Sequence, residues 1–188
     1  MNSRWLPLLI AAAALFVLTG PPVTVHAVVP AAACLDGKAE TRGHSAVDEG
    51  EIHWTDNTAY DDARKFAIST WQFSGSKIEI VADSAITPND LEFKDGNLGT
   101  SASAPLAQYE RHGSVGATDY VAFNTQNLRG ASKNRLRYVA LYELGHALGL
   151  CHKADTVVSL MWKNAPPPGF EITRIPDVDK ANYKKLWG

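Results

Sequence analysis

Residues 138–152 read YVALYELGHALGLCH, and the reading of the whole chain turns on this stretch. Side chains at i and i+4 share one helix face, so Tyr142 and His146 stand one turn apart on the same side. Glu143 directly follows Tyr142. Gly149 comes three residues after His146, and His152 three residues after that. Glycine accepts the left-handed backbone with which helices commonly end. The chain is therefore expected to leave the helix at Gly149 and bring His152 back beside His146. Two imidazoles, a phenol and a carboxylate would then meet at the end of one helix.

Outward from this stretch, Ser132 is a suitable N-cap. Leu136, Val139, Ala140, Leu144 and Ala147 give the helix its apolar face. Upstream, Glu51–Trp54 reads as a short strand followed by turn residues Asp56 and Asn57. Ala59, Ala63, Phe66, Ala67 and Trp71 form a helical stripe over 59–73, stopped by Gly75. Residues 77–81 and 90–94 alternate as strands, the second closed by a turn at Asp95-Gly96. The small polar run 97–104 reads as an edge strand, and 119–124 as a further strand. Residues 165–169 form a Pro-rich loop. Asp177–Leu186 reads as a last helix with Val178, Ala181 and Leu186 on one side. This order predicts an α+β domain over 51–188, preceded by a loosely held arm over 28–50.

Residues 1–27 predict a secretory signal peptide: a basic start, the apolar run 5–18, Pro21-Pro22, and small residues before a cleavage point after Ala27. Ala31-Ala32-Ala33-Cys34 has small residues before a cysteine, but it lies too far beyond the apolar run to serve as a lipoprotein signal. The chain is expected to be secreted and extracellular, with no membrane attachment once the signal is removed. It carries 18 basic and 20 acidic residues, a net charge of −2. No basic stripe argues for nucleic acid, and a monomer is expected. An even cysteine count in a secreted chain favours a disulfide between Cys34 and Cys151. The alternative is that Cys34 reaches a metal as a latency thiol.

Further along, Ser159-Leu160-Met161 stands where a methionine-containing turn could pass beneath the two histidines. Glu143, His146, Gly149, His152 and Met161 together resemble the metzincin clan of zinc endopeptidases, in which the motif is H-E-x-x-H-x-x-G-x-x-H followed by a Met-turn. The run Ile175-Pro176-Asp177-Val178-Asp179 to Leu186-Trp187-Gly188 resembles the matrixin branch most. The resemblance covers about 51–188. It implies a single metzincin-like domain: a twisted mixed sheet, two long helices, the Met-turn at Met161 and a C-terminal helix. It also implies Zn2+ on His146 and His152, Glu143 as general base, and a peptide or protein substrate laid along the 97–103 edge. Matrixins carry further His and Asp residues for structural zinc and calcium near that edge. This chain has Ser101, Ala102 and Asn124 there, so neither ion is carried over.

The departure is Tyr142, which occupies the position of the first zinc-ligand histidine. A phenol ligates zinc only as phenolate, and its ordinary pKa is about 10. Three arrangements follow. Zinc is held by His146 and His152 with help from Tyr142; or His44, His53 or His112 supplies a third ligand; or the site holds no metal and the protein binds peptides or a partner without cutting them. The loop Pro166–Gly169 follows the Met-turn and is either a wall of the substrate pocket or a plain surface loop.

Overall fold

The computed structural model describes residues 29–85, 88–113 and 116–188. The segment read as a signal peptide lies outside them. Five strands form one mixed sheet in the order β2-β1-β3-β5-β4. They are β1 (Glu51–Asn57), β2 (Glu79–Ala82), β3 (Leu91–Gly96), β4 (Ala107–Glu110) and β5 (Asp119–Asn124); the helices are α1 (Asp61–Trp71), α2 (Lys133–Ala147) and α3 (Asp177–Trp187). β1 runs parallel to β2 and to β3, β3 runs parallel to β5, and only β4 is antiparallel. A parallel pair needs a crossover, and α1 supplies the one between β1 and β2.

The core lies between the sheet and the packed helices α1 and α2. Ile52, Leu91, Phe93, Val121 and Phe123 face it from the strands. Ala63, Ala67 and Trp71 meet them from α1, and Val139, Leu141, Leu144 and Ala147 from α2. Burying each larger apolar side chain is worth roughly 1.5–3 kcal/mol. Helix α2 is buried on more than one side: Tyr138–Leu141, Glu143–Gly145 and Ala147 are all covered. It starts as expected, with the Ser132 hydroxyl oxygen accepting from the Arg135 N–H at 3.1 Å.

Two expectations fail. The edge strand is Ala107–Glu110, not 97–104. Residues 97–104 form turns, and the Asn97 side chain accepts from the Gly99 N–H at 3.1 Å. Asn124 pins the two ends of this loop by donating from Nδ2 to the Gly99 and Pro105 carbonyls at 2.8 and 2.9 Å. A backbone folded on itself in this way cannot extend along β5. Nor is the N-terminal arm loose. Its backbone N–H groups at Leu35, Thr41 and Ala46 donate to the carbonyls of His152, Gly149 and Ala147 at 2.9, 3.1 and 2.8 Å. A disulfide joins Cys34 to Cys151 with Cα atoms 5.6 Å apart. The arm is thus a strap across the C-terminal end of α2.

Gly149 shows why the strap and the turn need each other. Its φ is +84°, and a Cβ there would come within 2.6 Å of the Thr41 carbonyl oxygen. Lys153 completes the tie. Its buried ammonium pairs with Glu40, donates to the Ala32 carbonyl at 2.9 Å and lies 3.2 Å from the Cys151 sulfur. Among the described residues no helix is long and apolar enough to cross a membrane.

Candidate active site

Helix α2 and the turn after it place Tyr142, Glu143, His146 and His152 on the wall of one cavity of roughly 1540 Å³. That is larger than a drug-sized ligand needs and suits an extended chain. The strap contributes Lys38, Thr41 and His44 to the lining, β4 contributes Ala107, Gln108 and Tyr109, and the segment after the Met-turn contributes Lys163, Asn164 and Ala165. The Pro-rich loop enters only through its start: Ala165 lines the cavity, and the next residue's carbonyl, on Pro166, is held by Arg135 Nη1 at 2.5 Å.

The chain does return His152 to His146. Their ring centroids are 4.8 Å apart and the rings are nearly perpendicular, at 81°. His146 Nδ1 lies 2.9 Å from the Leu150 carbonyl oxygen. A carbonyl can only accept, so Nδ1 carries the proton and Nε2 keeps its lone pair. That is how a metal-binding imidazole is usually oriented from behind. Burial lowers the His146 pKa to about 4, the nearby His152 adding to the effect, so the ring is neutral at physiological pH.

Glu143 is 5 % exposed. Its Oε2 accepts from the Tyr109 N–H of β4 at 2.8 Å. Desolvation pushes its pKa up to about 7, against the lowering effect of that hydrogen bond. The tie links the base of the cavity to the edge strand. Tyr109 is itself fixed, its hydroxyl donating to Asp119 Oδ2 at 2.5 Å.

Tyr142 packs edge-to-face on His146 with centroids 4.8 Å apart, and lies nearly parallel to His152 at 6.1 Å. Burial, with Glu143 and Tyr138 adding, raises its phenol pKa well above the ordinary value. None of the other histidines among the described residues takes the missing place. Among the described residues, no His, Cys, Asp or Glu joins His146 and His152 in a group whose donor atoms all lie within 4.8 Å of one another. His53 bonds Glu51 Oε2 at 2.7 Å on β1, and His112 packs edge-to-face on Tyr120. His44 lines the same cavity but lies outside any such group. Cys34 is consumed in the disulfide and is no latency thiol.

This donor set fits a zinc ion in part. Two imidazoles lie against each other, and His146 is neutral with its tautomer fixed from behind. The third neighbour is a phenol rather than an imidazole.

Beneath α2, Met161 is fully buried. A Cβ on Gly145 would sit 2.6 Å from Met161 Sδ and 3.1 Å from Trp71 Cζ2, so the bare glycine in the Leu-Gly-His run lets the methionine press against the helix. The turn is held by Asp179 of α3, which accepts from the Ser159 hydroxyl and the Leu160 N–H, both at 2.6 Å. The structure adds three positioning groups that spacing alone did not reveal: the Tyr109 N–H, the Leu150 carbonyl and the Asp179 carboxylate. The two backbone groups leave no mark in a sequence. Asp179 did stand in the C-terminal pattern, though without an assigned task.

The sequence matches the family model described as matrixin over residues 25–188. The match reaches further toward the N-terminus than the resemblance drawn from motifs and takes in the strap. No curated protein matches the chain.

Proposed function

From a chain that belongs to the matrixin family, we propose a secreted zinc-dependent endopeptidase. The observation that carries the reading is Glu143, a buried carboxylate held at the cavity wall by the Tyr109 N–H, on the same wall as His146 and His152. A cleft that only bound peptides would have no use for a carboxylate aimed in this way.

His146 and His152 would hold the metal through ring nitrogens, with the Tyr142 oxygen as third neighbour. When bound, zinc supplies Lewis-acid polarisation of a carbonyl and makes water acidic enough to react near neutral pH. Glu143 then has two tasks on two oxygens. Oε2 stays on the Tyr109 N–H and fixes the carboxylate plane. Oε1 takes the proton from the attacking water and passes it to the leaving amine. The substrate lies extended on the outer side of β4, an edge strand whose Tyr109 N–H is taken by Glu143 while its other outward groups face no further strand, and adds a strand there. Gly149 and the strap keep His152 in place while this happens. The disulfide suits an oxidising, extracellular setting.

The test is cleavage of an unstructured protein by the zinc-loaded chain, compared with Glu143→Gln. Loss of the base lowers kcat by about a hundredfold or more; equal cleavage by both would overturn the assignment. A second reading is favoured by Tyr142 itself, a phenol packed against Tyr138, His146 and His152 where the family pattern has an imidazole. On that reading the chain is a disabled relative that binds peptides or a protein partner in the same cleft. Tyr142→His separates the two: activity created from none supports the disabled reading, and activity present before and after supports the enzyme.

A further inference from the structure

Charge is divided unevenly between the cavity and the chain as a whole. The chain carries slightly more acidic than basic residues. Among the described residues the cavity lining reverses this: Lys38, Arg111, Arg135 and Lys163 are basic, and Glu143 is the one acidic side chain. Arg135 is partly neutralised by Glu171 at 3.7 Å and anchored on Pro166. Lys38 and Arg111 are different. Both are exposed, and neither has an ion-pair partner among the described residues.

The two come from separate elements. Arg111 directly follows β4, so a chain paired along that strand would end beside it. Lys38 belongs to the strap, which is tied across the turn between Gly149 and His152. A cleft lined by one sign of charge raises the local concentration of the opposite sign. We propose that this cleft selects acidic peptides, with Lys38 and Arg111 reading Asp or Glu side chains near the bond held at the site. The outer edge of β4, apart from the Tyr109 N–H that Glu143 holds, favours a peptide over other polyanions, because it offers main-chain hydrogen bonds that only a polypeptide can match. The inference rests on the reading of the cavity as a peptide cleft, and it holds whether or not the peptide is then cut.

The experiment is fluorescence anisotropy with the full chain in a metal chelator, so that binding is read without cleavage. The probes are a labelled peptide rich in Asp and Glu and its Asn/Gln counterpart. The acidic peptide is expected to bind at least about fivefold tighter, with the difference shrinking as salt rises from about 0.05 to 0.5 M. Lys38→Glu and Arg111→Glu should each weaken the acidic peptide by up to about fivefold and leave the neutral one unchanged. Lys185→Glu on α3, which is not among the lining residues, should change neither. Equal binding of the two peptides, or equal loss with Lys185→Glu, would overturn the proposal. So would displacement of the peptide by a sulfated polysaccharide at matched charge, which would mean an unselective polyanion site. Cleavage intact with no charge preference counts against this proposal alone. Charge preference intact with no cleavage counts against the peptidase reading alone.

Discussion

The two sides of helix α2 have fared differently. On the buried side every element of the support is present. Gly145 leaves room for Met161, Asp179 holds the turn that carries it, and Trp71 Nε1 donates to the Leu141 carbonyl at 2.9 Å. On the cavity side the imidazole pair, the carboxylate and its backbone tether are in place, but a phenol stands where the family pattern has a third imidazole. The departure is confined to one side chain. A phenol and an imidazole are both flat rings that pack on the same neighbours, so Tyr142 meets Tyr138, His146 and His152 without disturbing the scaffold. Support and chemistry are thus separable in this fold, and substitutions on the two sides should fail in different ways.

The largest effect on stability is expected at the strap. The disulfide closes a loop spanning 117 positions, which in the loop-entropy account is worth about 4–5 kcal/mol. Replacing both cysteines by serine should lower the denaturation midpoint accordingly, read by urea titration. A loss under about 1 kcal/mol would mean that the backbone bonds and Lys153 hold the strap unaided. Next comes Asp179→Ala, which strands two buried donors at about 1–3 kcal/mol each. It should cost stability first and activity only in proportion. Gly145→Ala should be destabilising by roughly 1–3 kcal/mol through overpacking against Met161 and Trp71, although alanine is the better helix former. A neutral result would show that the methionine can move aside.

On the cavity side the order reverses. Tyr142→His should change stability by less than about 1.5 kcal/mol, as a near-isosteric swap at a half-buried position, while strengthening zinc binding by tenfold or more as an order-of-magnitude expectation. If it unfolds the protein, the separation of support from chemistry fails. The smallest effect is at Asp62 on the outer surface of α1. Hydrogen bonds from Arg137 and Lys133 lower its pKa to about 2. Its folded pKa lies below the ordinary value of 3.8, so it stabilises above that pH and loses the contribution as pH falls through about 2. Asp62→Asn should therefore be slightly less stable at neutral pH and indistinguishable at the acid end, in denaturant titrations across pH.

What the sequence conveyed depended on how local the cause was. Helix α2, its Ser132 cap, the Gly149 turn and strand β5 all follow from spacing and capping within one segment. The C-terminal helix could be read in the same way. The edge strand could not. Residues 97–104 are composed like an exposed strand, but Asn124, far along the chain, ties them into a loop and leaves four residues of β4 to pair with β5. The strap was illegible for a related reason. Its attachment to α2 uses backbone groups of Leu35, Thr41 and Ala46, and only Cys34 signals it. At the site, the meeting of Tyr142, Glu143, His146 and His152 on one cavity wall was legible because the motif is contiguous. The tether from Tyr109 to Glu143 was not, because it joins β4 to α2, which meet only in the folded chain. Why Tyr142 stands at its position has no structural explanation here beyond its tolerance by its neighbours.

The central claim is that two imidazoles, with a phenol beside them, suffice to hold the catalytic metal. The most direct test is the zinc content of the purified protein after dialysis against metal-free buffer at neutral pH, measured by atomic emission. The account predicts close to one zinc per chain, lost on replacing His146 or His152 by alanine. Close to none would contradict it, and the cavity would then be a peptide-binding cleft in a relative that no longer cuts.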